Sequence, residues 1–291
     1  MLSKKIKECF DRCVKSEYHG LSKDHPIVTL NALKNIIGDN RKKYSKKLLE
    51  LMEHKSKEFP KRDDDQSILD NSAKEGLGLT VFVSELEDAC QSGIPEEIEK
   101  EAARLQWVSD NGLGGFEALI EIALQDFERL GKFSFHLFRS NIFNRNINET
   151  WPYTRCLVKE ICKKTLPEPH RNEDTNCNFL IGSTKSQTMN FTSAHRFWNG
   201  DYVRLGGYRR EISFWVKNQY SQNQIIIDNN IKKDITNYFK NGGNFFIELA
   251  EHIIENENDI VYLESLRYLS KQSEDFHRFI SFEISKLMDS K

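Results

Sequence analysis

Asp110 and Asn111 close the stretch "LQWVSDN" (105–111), and Asp228, Asn229 and Asn230 close "NQIIIDNN" (223–230). A carboxylate beside amide oxygens is a hard donor set, suited to Mg²⁺ or Mn²⁺. Between the two stands "GSTKS" (182–186), where the hydroxyls of Ser183, Thr184 and Ser186, the turn amides and Lys185 form a set able to hold phosphate oxygens. Asn141 ends "KFSFHLFRSN" (132–141) and adds a further amide. The implied chemistry is a divalent metal ion with a phosphate beside it. Single Asp-Asn pairs also cap helices and fill turns, and "GSTKS" lacks the full phosphate-loop pattern, so the reading needs these residues to converge on one rim.

Convergence depends on the elements that carry them. "LQWVSDN", "KFSFHLFRSN", "NFLIGSTKS" and "NQIIIDNN" are short apolar runs that end in small or polar residues. They are followed by helical patterns at "FEALIEIALQDFERL", "WPYTRCLVKEICKK", "YRREISFWVKNQY" and "IKKDITNYFKN". Such alternation predicts βαβ units and a mainly parallel sheet, whose ligand crevice lies at the carboxyl ends of the strands. The expected fold is therefore α/β. A helical N-terminal region covers 1–104, a Rossmann-like domain with flanking helices covers 105–244, and a helical C-terminal tail over 245–291 packs on that domain. In the first region, "ALKNIIGDN" and "KKYSKKLLELMEHKSKEF" have helical spacing, and Pro95 with Glu96 and Glu97 marks a helix start. The charged run "KRDDDQ" reads as a solvated loop. Arg204, Arg209 and Arg210 are able to contact phosphate, with Trp198 or Tyr202 stacking on a ligand, although an ordinary packed and solvated segment is the simpler account.

The chain has 291 residues and a formal net charge of −2, which suits one large domain or two small ones. A near-balanced charge gives no general attraction to nucleic acid or to an anionic membrane. The first ten residues hold no apolar signal core, and no run approaches the roughly 20 apolar residues that span a bilayer. Six cysteines are scattered without a CxxC pair. A cytoplasmic protein with reduced thiols is expected.

Two resemblances bear on function. "VSDNGLGG" (108–115) resembles the glycine-rich first motif of S-adenosylmethionine-dependent methyltransferases, in which the next strand usually ends in an acidic residue. Here that strand would end in Arg139, Ser140 and Asn141. The chain from about Leu105 to Thr150 is more similar to the metal-dependent damage-control phosphatases, the family that includes the protein-glutamate carboxyl methyltransferase-like proteins. "GFEALIEIALQDF" resembles the turn and helix after that family's Asp-Asn strand, and "FHLFRSNIFNRNINET" resembles its next strand and polar loop. The resemblance implies that Asp110 and Asn111 are metal ligands and that the family's next metal-binding Asp falls on Asn148, or on Glu149 if the loop is shifted by one. Asp228 is then the residue available to restore the lost carboxylate. The activity implied is hydrolysis of a small phosphorylated metabolite with Mg, Mn, Co or Ni, with Asp110, Asn111 and Asp228 catalytic. Ser183, Thr184, Lys185, Ser186 and Asn141 would bind the substrate. The alternatives are a methyltransferase using S-adenosylmethionine and a non-catalytic binding or assembly protein on the same fold.

Overall fold

His25 and Pro26 begin a helix that sits at the centre of the molecule. The His25 Nδ1 atom accepts the backbone N–H of Ile27 at 3.1 Å, and Pro26 at the first helical position has no N–H to leave unpaired. The computed structural model describes residues 1–76, 78, 80–144, 150–171, 184–219 and 244–289. Their α-helices are α1 (Leu2–Cys13), α2 (Pro26–Ile37), α3 (Lys46–Lys55), α4 (Asp65–Glu75), α5 (Val83–Ser92), α6 (Pro95–Val108) and α7 (Leu113–Ala123). They continue with α8 (Phe127–Asn144), α9 (Thr150–Ile161), α10 (Lys185–Trp198), α11 (Leu205–Gln219), α12 (Phe245–His252), α13 (Glu257–Leu269) and α14 (His277–Asp289). An isolated antiparallel bridge joins Ser16 to Lys61. Among the described residues no helix is long and apolar enough to cross a membrane.

Local signals explain where many of these helices start and stop. Ser45 accepts the N–H of Leu48 at 3.1 Å ahead of α3, Pro95 opens α6 with Glu96 and Glu97 in its first turn, and Gly93 ends α5 in a left-handed conformation at φ 71°. Packing explains the arrangement. Ten of the twelve residues of α2 are buried, because α1, α3, α8 and α13 all pack against it. α8 is the second central element and packs on α2, α9 and α10. A neighbouring group joins α6 to α4, α5, α7 and α9, while α10 joins α8 to α11 and α13.

The α/β, Rossmann-like expectation is overturned, because no strand or sheet occurs among the described residues. Leu105–Val108 form the last turn of α6, and Lys132–Asn141 lie inside α8. The third and fourth expected strands, 178–183 and 223–230, lie outside the described residues. The physical reason is clearest at α8. Its buried residues include Phe133, Ser134, Phe135, His136, Leu137 and Phe138 in succession, and within 132–141 Arg139 is the one exposed residue, too little to mark out a 3.6-residue pattern. An aromatic-rich run without that period reads as a buried strand.

Candidate functional site

Asp110 and Asn111 are placed at a corner between two helices. A 3-10 turn, Asp110–Gly112, links α6 to α7, with Asn111 at φ 55° and Gly112 at φ 73°. The Gly112 N–H donates to the Ser109 carbonyl at 3.1 Å, and a Cβ on Gly112 would stand 1.9 Å from the Gln106 side chain. Asn is the non-glycine residue that best tolerates this left-handed conformation, so backbone geometry accounts for it at this corner. Asn111 is exposed. Asn111→Gly is expected to leave stability within about 0.5 kcal/mol and Asn111→Val to cost about 1–2 kcal/mol. Urea unfolding checks both, and an equal cost for the two would refute the turn account.

The other residues nominated from the sequence have separate surroundings. Thr184 caps α10, its Oγ1 accepting the N–H of Gln187 at 3.2 Å. Lys185 pairs with Asp259, and Ser186 is exposed. Asn141 is buried in α8. The Asp110–Gly112 turn packs on α6, α7 and α9, whereas α10 packs on α8, α11 and α13. Asn148, Glu149, Ser183 and Asp228 lie outside the described residues. The arginines near Trp198 are already engaged: Arg204 and Arg210 both pair with Glu121, Arg210 also pairs with Glu211, and Arg209 donates to the Trp198 carbonyl at 2.9 Å. A buried Cys-His contact, Cys156 Sγ to His25 Nε2 at 3.7 Å, is likewise structural. Burial pushes the thiol up to about 12 and the imidazole down to about 3, so both members are held neutral.

The structure instead assembles charge in a cleft of about 850 Å³ where α1, α2 and α8 meet. Lys7 comes from α1, Lys34 from the last turn of α2, Arg41 from the segment after it, Arg139 from α8 and Arg267 from α13. No acidic side chain lines this cleft among the described residues. The nearby carboxylates are already paired. Asp39 takes both ends of the Arg267 guanidinium and Lys271, while buried Glu264 accepts from Arg196 at 2.8 and 2.9 Å and from Asn35 at 2.8 Å. Lys34, Arg41 and Arg139 make no ion pair among the described residues. The Lys34 ammonium stands 5.4 Å from the centre of the Phe143 ring, and Phe143 is held edge-on by Phe10. Burial first, and then the guanidinium groups of Arg139, Arg196 and Arg267, push Lys34 down to about 7 against the opposing pull of Glu264. A lysine in the last turn of a helix suits the helix dipole, which is the ordinary structural account of Lys34. Arg41 and Arg139 make the arrangement more than that, because they are exposed and mutually repelling with no counter-charge lining the same cleft.

Five basic residues spread from Lys7 to Arg267 form no local motif, so no short stretch of the sequence signals the cleft. Comparisons of the chain with protein-family models, curated proteins and solved structures find no match.

Proposed function

We propose that the chain is an all-helical binding protein whose cleft between α1, α2 and α8 takes a small anionic ligand bearing phosphate or carboxylate. The observation that carries this reading is the set of unpaired cations, Lys34, Arg41 and Arg139, facing one cleft with no acidic lining residue among the described residues. Guanidinium groups offer planar, paired donors to such anions, and Lys34 contributes a point charge that an incoming anion would satisfy. A small phosphorylated metabolite remains within this ligand class. The damage-control phosphatase reading stays a proposal. Asp110 and Asn111 form a helix corner, the residues expected to complete a metal site lie outside the described residues, and no group of three or more His, Cys, Asp or Glu residues suited to a metal occurs among the described ones.

Calorimetric titration with sulfate tests the reading, because sulfate keeps its charge across pH 5–9. One site is expected, with affinity lowered about tenfold or more by Arg139→Gln and by Lys34→Met. The pH dependence has a definite sign. Lys34 is cationic below about 7 and loses its proton above it, so affinity is highest near pH 6 and falls as pH rises through about 7. The charged groups that act on Lys34 across its neighbouring helices are Arg139 on α8, Arg196 on α10, and Glu264 and Arg267 on α13. Lys7 of α1 lines the same cleft. Sulfate affinity unchanged in both variants would sink the reading.

A further inference from the structure

An amine that reacts with carbonyl compounds needs a free electron pair, open space on one side and an anchor for the rest of the reactant. Lys34 has all three. The cleft supplies about 850 Å³ beside it, Phe143 supports the ammonium at 5.4 Å, and no carboxylate among the described residues claims its proton. Glu264, the nearby acid, is buried and bonded to Arg196 and Asn35. Arg41 and Arg139 are exposed at the same cleft and make no ion pair among the described residues, which leaves them to hold an anionic group.

We propose that Lys34 is a nucleophilic amine that condenses reversibly with the carbonyl group of a small anionic aldehyde or 2-oxo acid, whose carboxylate or phosphate is held by Arg139 and Arg41. This rests on the cleft being an anion site. The Lys34 Nζ lone pair forms the N–C bond to the carbonyl carbon, and the carbonyl π electrons move to oxygen, which is protonated from solvent. Nitrogen loses a proton to give a carbinolamine, whose hydroxyl takes a second proton from solvent and leaves as water as the nitrogen lone pair forms the C=N bond, giving a protonated imine in equilibrium with the neutral imine. Amine plus carbonyl gives imine plus water, with no change of oxidation state. A protonated imine keeps the positive charge that Phe143 faces, so the product suits the same surroundings as the ammonium. The low basicity of Lys34, down to about 7 through burial and neighbouring guanidinium groups, leaves a large share of the amine unprotonated at neutral pH.

Lys132 supplies an internal control. It too is pushed down, to about 8, by burial, but at 4% exposure inside α8 it is not among the residues lining this cleft. The test incubates the full chain with glyoxylate, glyceraldehyde 3-phosphate or neutral propanal, reduces with cyanoborohydride, and maps the adducts by peptide mass spectrometry. With an anionic carbonyl compound, Lys34 is expected to label about tenfold or more faster than Lys132 and than exposed Lys42 and Lys47. Propanal should lose that preference. Glyoxylate alone giving it would assign a carboxylate anchor, and the phosphorylated aldehyde alone a phosphate anchor. Lys34→Arg should remove the adduct. Arg139→Gln, which alters an exposed side chain and leaves Lys34 in place, should cut the selectivity about tenfold with the melting temperature unchanged. Labelling of Lys34 no faster than of the exposed lysines overturns the proposal. Sulfate titration of the same preparations separates the two readings: intact sulfate binding without Lys34 selectivity leaves an anion cleft that does no carbonyl chemistry, and loss of both removes the site.

Discussion

Replacing Arg155 by methionine is expected to destabilise the protein by about 3–5 kcal/mol, because it leaves buried and half-buried carboxylates without their shared cation. Arg155 lies on α9 at 2% exposure, and its guanidinium donates to Glu99 at 3.0 Å, to Asp65 at 2.8 Å and to Asp64 at 2.7 Å. Arg62 supports the same cluster by donating to Asp65 at 2.6 Å, and the Trp151 indole donates to the Asp65 carbonyl at 2.6 Å. The Arg155 contact also holds the Asp64 carboxyl down at about 2. The cluster therefore joins α4, α6 and α9, so its loss should register in global unfolding and not only as local fraying. Urea denaturation of Arg155→Met against the wild type measures the cost. Removing charge on both sides, with Asp64→Asn and Asp65→Asn added, should recover part of it, since a stranded charge is worse than no charge. A cost below about 1 kcal/mol for Arg155→Met would mean that the network contributes little.

Acid is expected to destabilise the fold between pH 6.5 and 5 through two imidazoles held neutral in the core. His25 is 1% exposed and His136 is 2% exposed. Burial pushes His25 down to about 3 and His136 well below its ordinary value. On His25 the Nδ1 atom already accepts the Ile27 N–H, and on His136 it faces the Asn31 amide nitrogen at 2.9 Å, so neither position has room for a proton without losing a bond. The sign follows from linkage. An imidazole whose folded pKa lies below its unfolded value takes up its proton on unfolding, so it leaves stability unchanged above about pH 6.5 and lowers it as pH falls below that value. At pH 5 the penalty reaches about 2 kcal/mol for each group, or about 4 kcal/mol for the pair. Glu117 and Glu160, both raised by burial, work in the opposite direction on acidification. Comparison with His25→Asn, which retains a capping side chain, and with His136→Gln isolates the imidazole contribution. Their urea midpoints should fall less steeply between pH 7 and 5 than the wild type's, and equal slopes in all three proteins would refute this account.

The run "KRDDDQ" shows how charge misleads when read locally. It looks like a solvated loop, yet Arg62 is 4% exposed and Asp65 is 7% exposed in the cluster around Arg155. A guanidinium 90 residues further along neutralises it, and no window of sequence contains both partners. The Asp110–Asn111 edge misleads in a related way. Its residue types suit a metal site and a turn equally, and only the left-handed backbone at Asn111 and Gly112 shows what the corner requires. The strand reading of Lys132–Asn141 failed for a different reason, since α8 is enclosed on nearly every side and so lacks the polar face that reveals a helix.

Local chemistry was legible in the amino-acid order: the proline and acidic start of α6, the helical spacing of α3 and the helical pattern from Phe116 onward all act within a few residues. The cationic cleft was not. Lys7, Lys34, Arg41, Arg139 and Arg267 become neighbours only when α1, α2, α8 and α13 pack, and in the same step Asp39 is taken up by Arg267 and Lys271, and Glu264 by Arg196 and Asn35. Capping and turn formation are settled by short-range backbone geometry, whereas an electrostatic site depends on which distant charges burial brings together and which it leaves unpaired.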